Sequence, residues 1–131
     1  MNEKTNYSNT IMEVLGIENV EITKDKLVLS MPVGPKTHQP MGLLHGGASV
    51  VLAETAASIG TWINIDSEKY APVGLEINAN HIRGKKSGTV YATATPLHKG
   101  RKTFVWDIQI TDEQEKLICI SRCTVAVIEK Q

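Results

Sequence analysis

The chain has 131 residues, 41% of them hydrophobic and 21% charged, a size and balance that suit one globular domain and exclude intrinsic disorder. Lysine plus arginine (14) equals aspartate plus glutamate (14), so no net field draws the chain to nucleic acid or an anionic membrane, and any anionic ligand must be held by a local cluster. The two cysteines, Cys119 and Cys123, are too few and too close for a disulfide framework or a four-ligand zinc site, and read as buried thiols of a reducing compartment.

Met1 to Asn9 is polar and lacks the apolar core of a signal peptide. The longest apolar region, Ala48 to Ile63, is interrupted by Glu54 and falls short of the roughly 18 unbroken apolar residues of a membrane span. A cytoplasmic protein is therefore expected. Ser8 or Asn9 is placed to cap a short surface helix running to Leu15, with Gly16 as its left-handed stop. Ile17 to Thr23 and Lys26 to Val33 read as a hairpin about Lys24-Asp25, and Leu27, Leu29, Met31 and Val33 share one face of its second strand. Residues 34–47, rich in glycine, proline and histidine, follow neither period and read as a long loop, the kind that often carries function.

From Gly46 to about Asn64 the sequence is alanine-rich, free of proline and apolar nearly all round, which predicts one long helix buried on most sides. Four alternating segments follow, with inward faces Val73/Leu75/Ile77/Ala79, Val90/Ala92/Ala94, Phe104/Trp106/Ile108/Ile110 and Leu117/Cys119/Cys123/Val125/Val127. Turns fall at Lys85 to Gly88, His98 to Lys102 and Asp112 to Glu115. The order gives an α+β class: a strongly curved antiparallel sheet wrapped round one central helix, the hotdog arrangement.

Glu54 is the most informative residue, an ionisable carboxylate set among Val50, Val51, Ala53 and Ala57 of a helix expected to be buried. Burial without a partner costs several kcal/mol, roughly, or forces protonation, so the carboxylate is either satisfied by a salt bridge or at a rim, or kept as a nucleophile or general base. Ser58 lies one helical turn on, able to hold the carboxylate or a water. His45-Gly46-Gly47 stands where loop becomes helix, so unpaired N–H groups at the positive end of the dipole suit an oxyanion, with Gln39 and His45 as further donors. A metal site from His38, His45 and Glu54 is disfavoured, because the two histidines lie in an irregular loop and no second ligand pair is spaced for a metal. No metal and no cofactor is expected. Basic residues gather at Arg83, Lys85 and Lys86 and again at His98, Lys99, Arg101 and Lys102; they are either solvated loop charge or phosphate-binding.

The run Gln39-Pro-Met-Gly-Leu-Leu-His-Gly-Gly-Ala-Ser-Val-Val-Leu-Ala-Glu54-Thr-Ala-Ala-Ser58 closely resembles the signature of hotdog thioesterases of the PaaI-like superfamily. Val73-Gly-Leu-Glu-Ile-Asn-Ala-Asn-His81 and Pro96-Leu-His98-Lys-Gly-Arg101 are similar to the subgroup holding the 1,4-dihydroxy-2-naphthoyl-CoA thioesterase of menaquinone synthesis and the aryl carrier proofreading thioesterase of enterobactin synthesis. The likeness spans about residues 10–128. It implies a single hotdog domain over 1–131 that hydrolyses an acyl-CoA, first of all the dihydroxynaphthoyl ester, with a broad-range or proofreading thioesterase as the alternative. It implies a homo-oligomer, a dimer or a homotetrameric dimer of dimers, with sites at the dimer interface. Glu54 would be the catalytic carboxylate, acting on a thioester bound by the partner's loop. Gln39 and the Gly46 N–H would hold the carbonyl, His45 would assist, and Ser58 would orient water. Gly47, His81, Arg83, His98, Gly100 and Arg101 would meet coenzyme A. A non-catalytic acyl-CoA sensor and a hydratase are the other classes on such a fold. No DNA-binding segment is expected before the domain, and the histidine and carboxylate share one signature of the thioesterase kind, which disfavours both.

Overall fold

A computed structural model of the chain describes residues 6–131, so most of the polar stretch Met1 to Asn9 lies outside the described residues. Its elements in chain order are α1 (Ile11–Leu15), β1 (Glu18–Ile22), β2 (Leu27–Val33), α2 (Gly46–Ile63), β3 (Tyr70–His81), β4 (Gly88–Lys99), β5 (Thr103–Thr111) and β6 (Leu117–Glu129). The six strands form one sheet in the order β1-β2-β4-β5-β6-β3, with every neighbouring pair antiparallel. The long helix α2 touches β2, β3, β4, β5 and β6, so the sheet bends round it. This is the α+β hotdog arrangement.

The helix seats closely because its contact face is small. Ala53, Ala56, Ala57 and Gly60 are buried, and a β-carbon at Gly60 would stand 2.6 Å from the Trp106 ring and 2.8 Å from Leu27. Trp106, buried beneath the helix, donates its indole N–H to Thr61 Oγ1 at 2.9 Å, and Thr61 donates in turn to the Ala57 carbonyl at 2.9 Å. The one polar atom of the largest core side chain is thereby satisfied. The inward faces expected of β2, β4 and β5 are the observed ones, and both cysteines are buried and free. On the far side of the sheet Thr93, Thr95, Asp107, Gln109 and Thr111 face outward, which accounts for the polar alternation of β4 and β5.

Three expectations are corrected. The cap of α1 is neither Ser8 nor Asn9 but Thr10; Asn9 takes a left-handed conformation at φ 62°, and its N–H is met by Glu13 Oε1 reaching back. The inward face of β3 is not Val73/Leu75/Ile77/Ala79, because the register with β6 slips between Gly74 and Glu76. A bulge adds one residue and exchanges the faces, so Gly74 turns toward α2 before the slip, Ile77 and Ala79 do so after it, and Leu75 is 61% exposed. Finally, α2 is not enclosed all round. Val50, Val51, Glu54, Thr55, Ser58 and Trp62 remain partly exposed. Among the described residues no helix is long and apolar enough to cross a membrane.

Candidate active site

The loop before α2 is folded by its own polar side chains. Thr37, buried, donates through Oγ1 to the Pro32 carbonyl at 3.0 Å and accepts from the Gly34 N–H at 3.1 Å. Its carbonyl receives the His45 N–H at 2.8 Å, which fixes where the helix begins. Gln39 opens a tight turn, with its carbonyl accepting from Gly42 at 2.9 Å and its side-chain oxygen accepting from the Met41 N–H. Segment 84–86 supports this loop from the side: Leu44 N–H donates to the Lys85 carbonyl at 2.8 Å, and His38 Nε2 meets the Lys86 carbonyl at 2.8 Å.

His45 caps α2 from an extended conformation, and its Nδ1 accepts from the Gly47 N–H at 2.8 Å. An accepting Nδ1 leaves the proton on Nε2, free to donate outward. The Ala48 and Ser49 N–H groups turn back to the His45 carbonyl at 3.0 and 3.3 Å. Gly47 is therefore spent on the cap, and Gly46 is the helix-start donor that has no acceptor among the described residues. The His81 ring lies against it, 2.7 Å from where a Gly46 β-carbon would stand, so only glycine leaves this N–H open beside an imidazole. Gln39, His45, Gly46 and His81 thus gather at the N-terminal end of α2.

Glu54 is placed elsewhere. It lies two turns down the helix, about 12 Å along the axis from Gly46, and its carboxylate rests over Gly74 of β3 with no salt bridge among the described residues. It is partly rather than fully buried, the rim position weighed above, which corrects the expectation of a helix face that must be buried. Beside it, burial first and then the charges of Glu54 and Glu76 push the Cys123 thiol up to about 12, so this sulfur stays protonated and is no nucleophile. Ser58 stands one turn beyond Glu54 on the same helix. Both line a pocket of about 480 Å³ whose remaining wall is Asn6, Tyr7, Ile11, Met12, Val51, Thr55 and Ile59.

The basic turns divide. Lys85 pairs with Glu113 at 2.6 Å, and the Lys85 ammonium, followed by the N–H groups of Glu113 itself and Thr89, pulls the Glu113 carboxyl down to about 2. Lys99 pairs with Asp25 at 2.5 Å and donates to Asn64 at 3.1 Å. These two lysines are structural. Arg83 leaves β3 near His81, at the N-terminal end of α2, whereas Gly100 and Arg101 line a cavity of about 740 Å³ with Asn64, Asp66 and Tyr70 at its C-terminal end. His98 folds over Gly100 in the same turn. Since α2 is about 27 Å long, one chain does not bring Arg83 and Arg101 together. Among the described residues no three of His, Cys, Asp and Glu come close enough to hold a metal, and His38, His45 and Glu54 stay apart. Sequence reasoning missed Gly74, which a glycine inside a strand could have signalled, and Tyr7 and Met12, for which no local signal exists.

The thioesterase superfamily model matches residues 41–119. A Bacillus subtilis protein, provisionally named the esterase ComA2, is 61% identical over 122 residues, 93% of this chain and 97% of that protein. A 1,4-dihydroxy-2-naphthoyl-CoA hydrolase of Listeria monocytogenes is 54% identical over 121 residues, 92% of this chain and 98% of that protein. A Staphylococcus aureus thioesterase, solved with alanine in place of one glutamate, superposes with a TM-score of 0.90 at 46% identity, covering 92% of this chain and 99% of that one. It was also solved with alanine in place of a glutamine fifteen positions before that glutamate, the separation of Gln39 and Glu54 here.

Proposed function

This chain belongs to the thioesterase superfamily, and we propose that it hydrolyses an aromatic acyl-CoA, first of all 1,4-dihydroxy-2-naphthoyl-CoA in menaquinone biosynthesis, to the free acid and coenzyme A. The enzyme is a thioester hydrolase. The observation that carries the finer reading is the pairing of an unpartnered carboxylate, Glu54, with an apolar pocket at its side and an open oxyanion donor, Gly46, at the head of the same helix.

Hydrolysis balances with water alone: the C–S bond breaks, water supplies the new oxygen, and the thiolate takes the proton. No metal or organic cofactor is needed for it. The Gly46 N–H at the positive end of the helix meets the developing oxyanion, with the Gln39 amide and His45 Nε2–H as neighbouring donors. Glu54 either attacks the thioester carbon, with water then opening the anhydride, or takes the proton of an attacking water that Ser58 helps to hold; both routes require the ionised carboxylate.

Because Glu54 and Gly46 lie about 12 Å apart along one helix, the working site joins Glu54 of one chain to Gln39, His45, Gly46 and Gly47 of a second in a dimer or dimer of dimers. The long edge strand β3, unpaired on one side and exposing Val73 and Leu75, supports this, since such edges are normally covered. Across that dimer His81, Arg83, His98, Gly100 and Arg101 can approach one coenzyme A, which a single chain does not allow. The free buried thiols support a cytoplasmic location. A broad-range acyl-CoA thioesterase is the second reading, favoured because the pocket holds no charged group besides Glu54 to select a ring substituent.

The test is Glu54→Gln, which keeps shape and reach but removes the base. On dihydroxynaphthoyl-CoA kcat should fall by on the order of a hundredfold or more with KM little changed. Near wild-type turnover by a folded oligomer would remove this reading.

A further inference from the structure

The pocket beside Glu54 has two walls of different origin. One is α2 itself, with Val51, Glu54, Thr55, Ser58 and Ile59; the other is the N-terminal segment, with Tyr7, Ile11 and Met12. The family model covers residues 41–119, so the first wall lies in the region shared by the superfamily and the second lies outside it. The second wall is also held in a defined position. Tyr7 OH donates to Asn19 Oδ1 of β1 at 2.6 Å, and its carbonyl accepts from Thr10 Oγ1 at 2.6 Å and Thr10 N–H at 3.2 Å. Met12 and Tyr7 pack against the core while remaining open to the pocket. About 480 Å³ is within the range of roughly 300–1,000 Å³ for small-molecule sites.

We infer that Tyr7 and Met12 are the specificity-determining residues of this enzyme: they form the second wall of the acyl pocket and size it for a flat aromatic acyl group. The thioester carbon must sit at Glu54, and the cleft that opens from Glu54 between the two segments is the space left for the acyl part. Its lining is apolar apart from Glu54 itself, Asn6 and hydroxyls, and the Thr55 hydroxyl is spent on the Val51 carbonyl at 2.6 Å. A tethered phenol and a flexible thioether facing a helix suit a planar ring, with Met adapting to its edge. The helix α1 that carries Met12 has five residues and no fully buried one. So short a helix is marginal by itself, so this wall can change without disturbing the core.

The inference rests on the thioesterase reading, and the experiment separates the two. Wild type, Met12→Trp, Met12→Ala and Tyr7→Phe are assayed for kcat/KM on naphthoyl-CoA and acetyl-CoA, with inhibition by free coenzyme A as a control. Met12→Trp should lower the naphthoyl-to-acetyl ratio by about tenfold or more, Met12→Ala and Tyr7→Phe should shift it by several-fold, and coenzyme A inhibition should stay the same. An unchanged ratio in folded Met12→Ala and Tyr7→Phe proteins overturns the inference while leaving the thioesterase reading intact. No hydrolysis of either ester by wild type overturns both.

Discussion

The Glu54 carboxylate of α2 lies directly over Gly74 of β3, where a β-carbon would collide with Glu54 Oε2. The register slip after Gly74 turns this glycine toward the helix, so the bulge in β3 makes the space in which the carboxylate sits. Gly74→Ala should displace the carboxylate without straining the backbone, since Gly74 does not take a positive φ. We expect kcat to fall by about tenfold with KM within about twofold, and thermal stability unchanged or slightly raised. Steady-state kinetics beside a melting curve check this; equal kcat would mean that the carboxylate works from another position.

The separation of Gly46 and Glu54 along one helix predicts complementation between chains. Glu54→Ala and Gln39→Ala proteins, each inactive alone, should recover part of the wild-type activity when mixed under conditions of subunit exchange, because a mixed dimer holds one intact site. Mass spectrometry confirms the exchange, and silence of the exchanged mixture would put both residues in one chain's site.

Arg101 lies at the C-terminal end of α2, away from Glu54. Arg101→Glu should therefore raise KM for coenzyme A esters several-fold more than for N-acetylcysteamine thioesters, which lack the phosphates. The same relative effect on both substrates would leave Arg101 as solvated surface.

Lys85 and Glu113 tie segment 82–87, which supports the Gln39 loop, to the β5–β6 turn. The Glu113 carboxyl is held at about 2 against an ordinary value of 4.5, so its contribution is present above about pH 4.5 and is lost as pH falls toward about 2. Wild type should lose more stability than Glu113→Gln between about pH 7 and about pH 3 in urea titrations. High salt should shrink the difference, because the pair is at the surface.

The strands that pack one face on α2 were legible in sequence because burial writes itself as alternation: Leu27, Leu29 and Met31 in β2, and Phe104 to Ile110 in β5, are inward as read. In β3 the pattern misled, since an apolar alternation through Leu75 carries no mark of the inserted residue, and only Gly74 hinted at it. Glu54 stood out as an isolated carboxylate in a helix, yet its partial exposure was hidden, because an all-round apolar helix does not say how completely the sheet covers it. The basic cluster at Arg83 to Lys86 looked uniform, and the ion pair that removes Lys85 from it is made with a residue 28 positions away. Tyr7 and Met12 reach Glu54 only through the fold, which no local pattern records.

The sheet order also governs when the protein can form during synthesis. Strand β3 leaves the ribosome before β4 and β5, yet its one neighbour in the sheet is β6, the last strand of the chain. Until residues 117–129 emerge, β3 has no ladder to join and Gly74 cannot come under Glu54. The nascent chain then carries an apolar helix and an unsatisfied strand edge at once, the combination that draws holdase chaperones and invites pairing with another copy. Folding is thus a terminal event, and a chain truncated before β6 should be cleared by proteolysis rather than accumulate as a partly active domain.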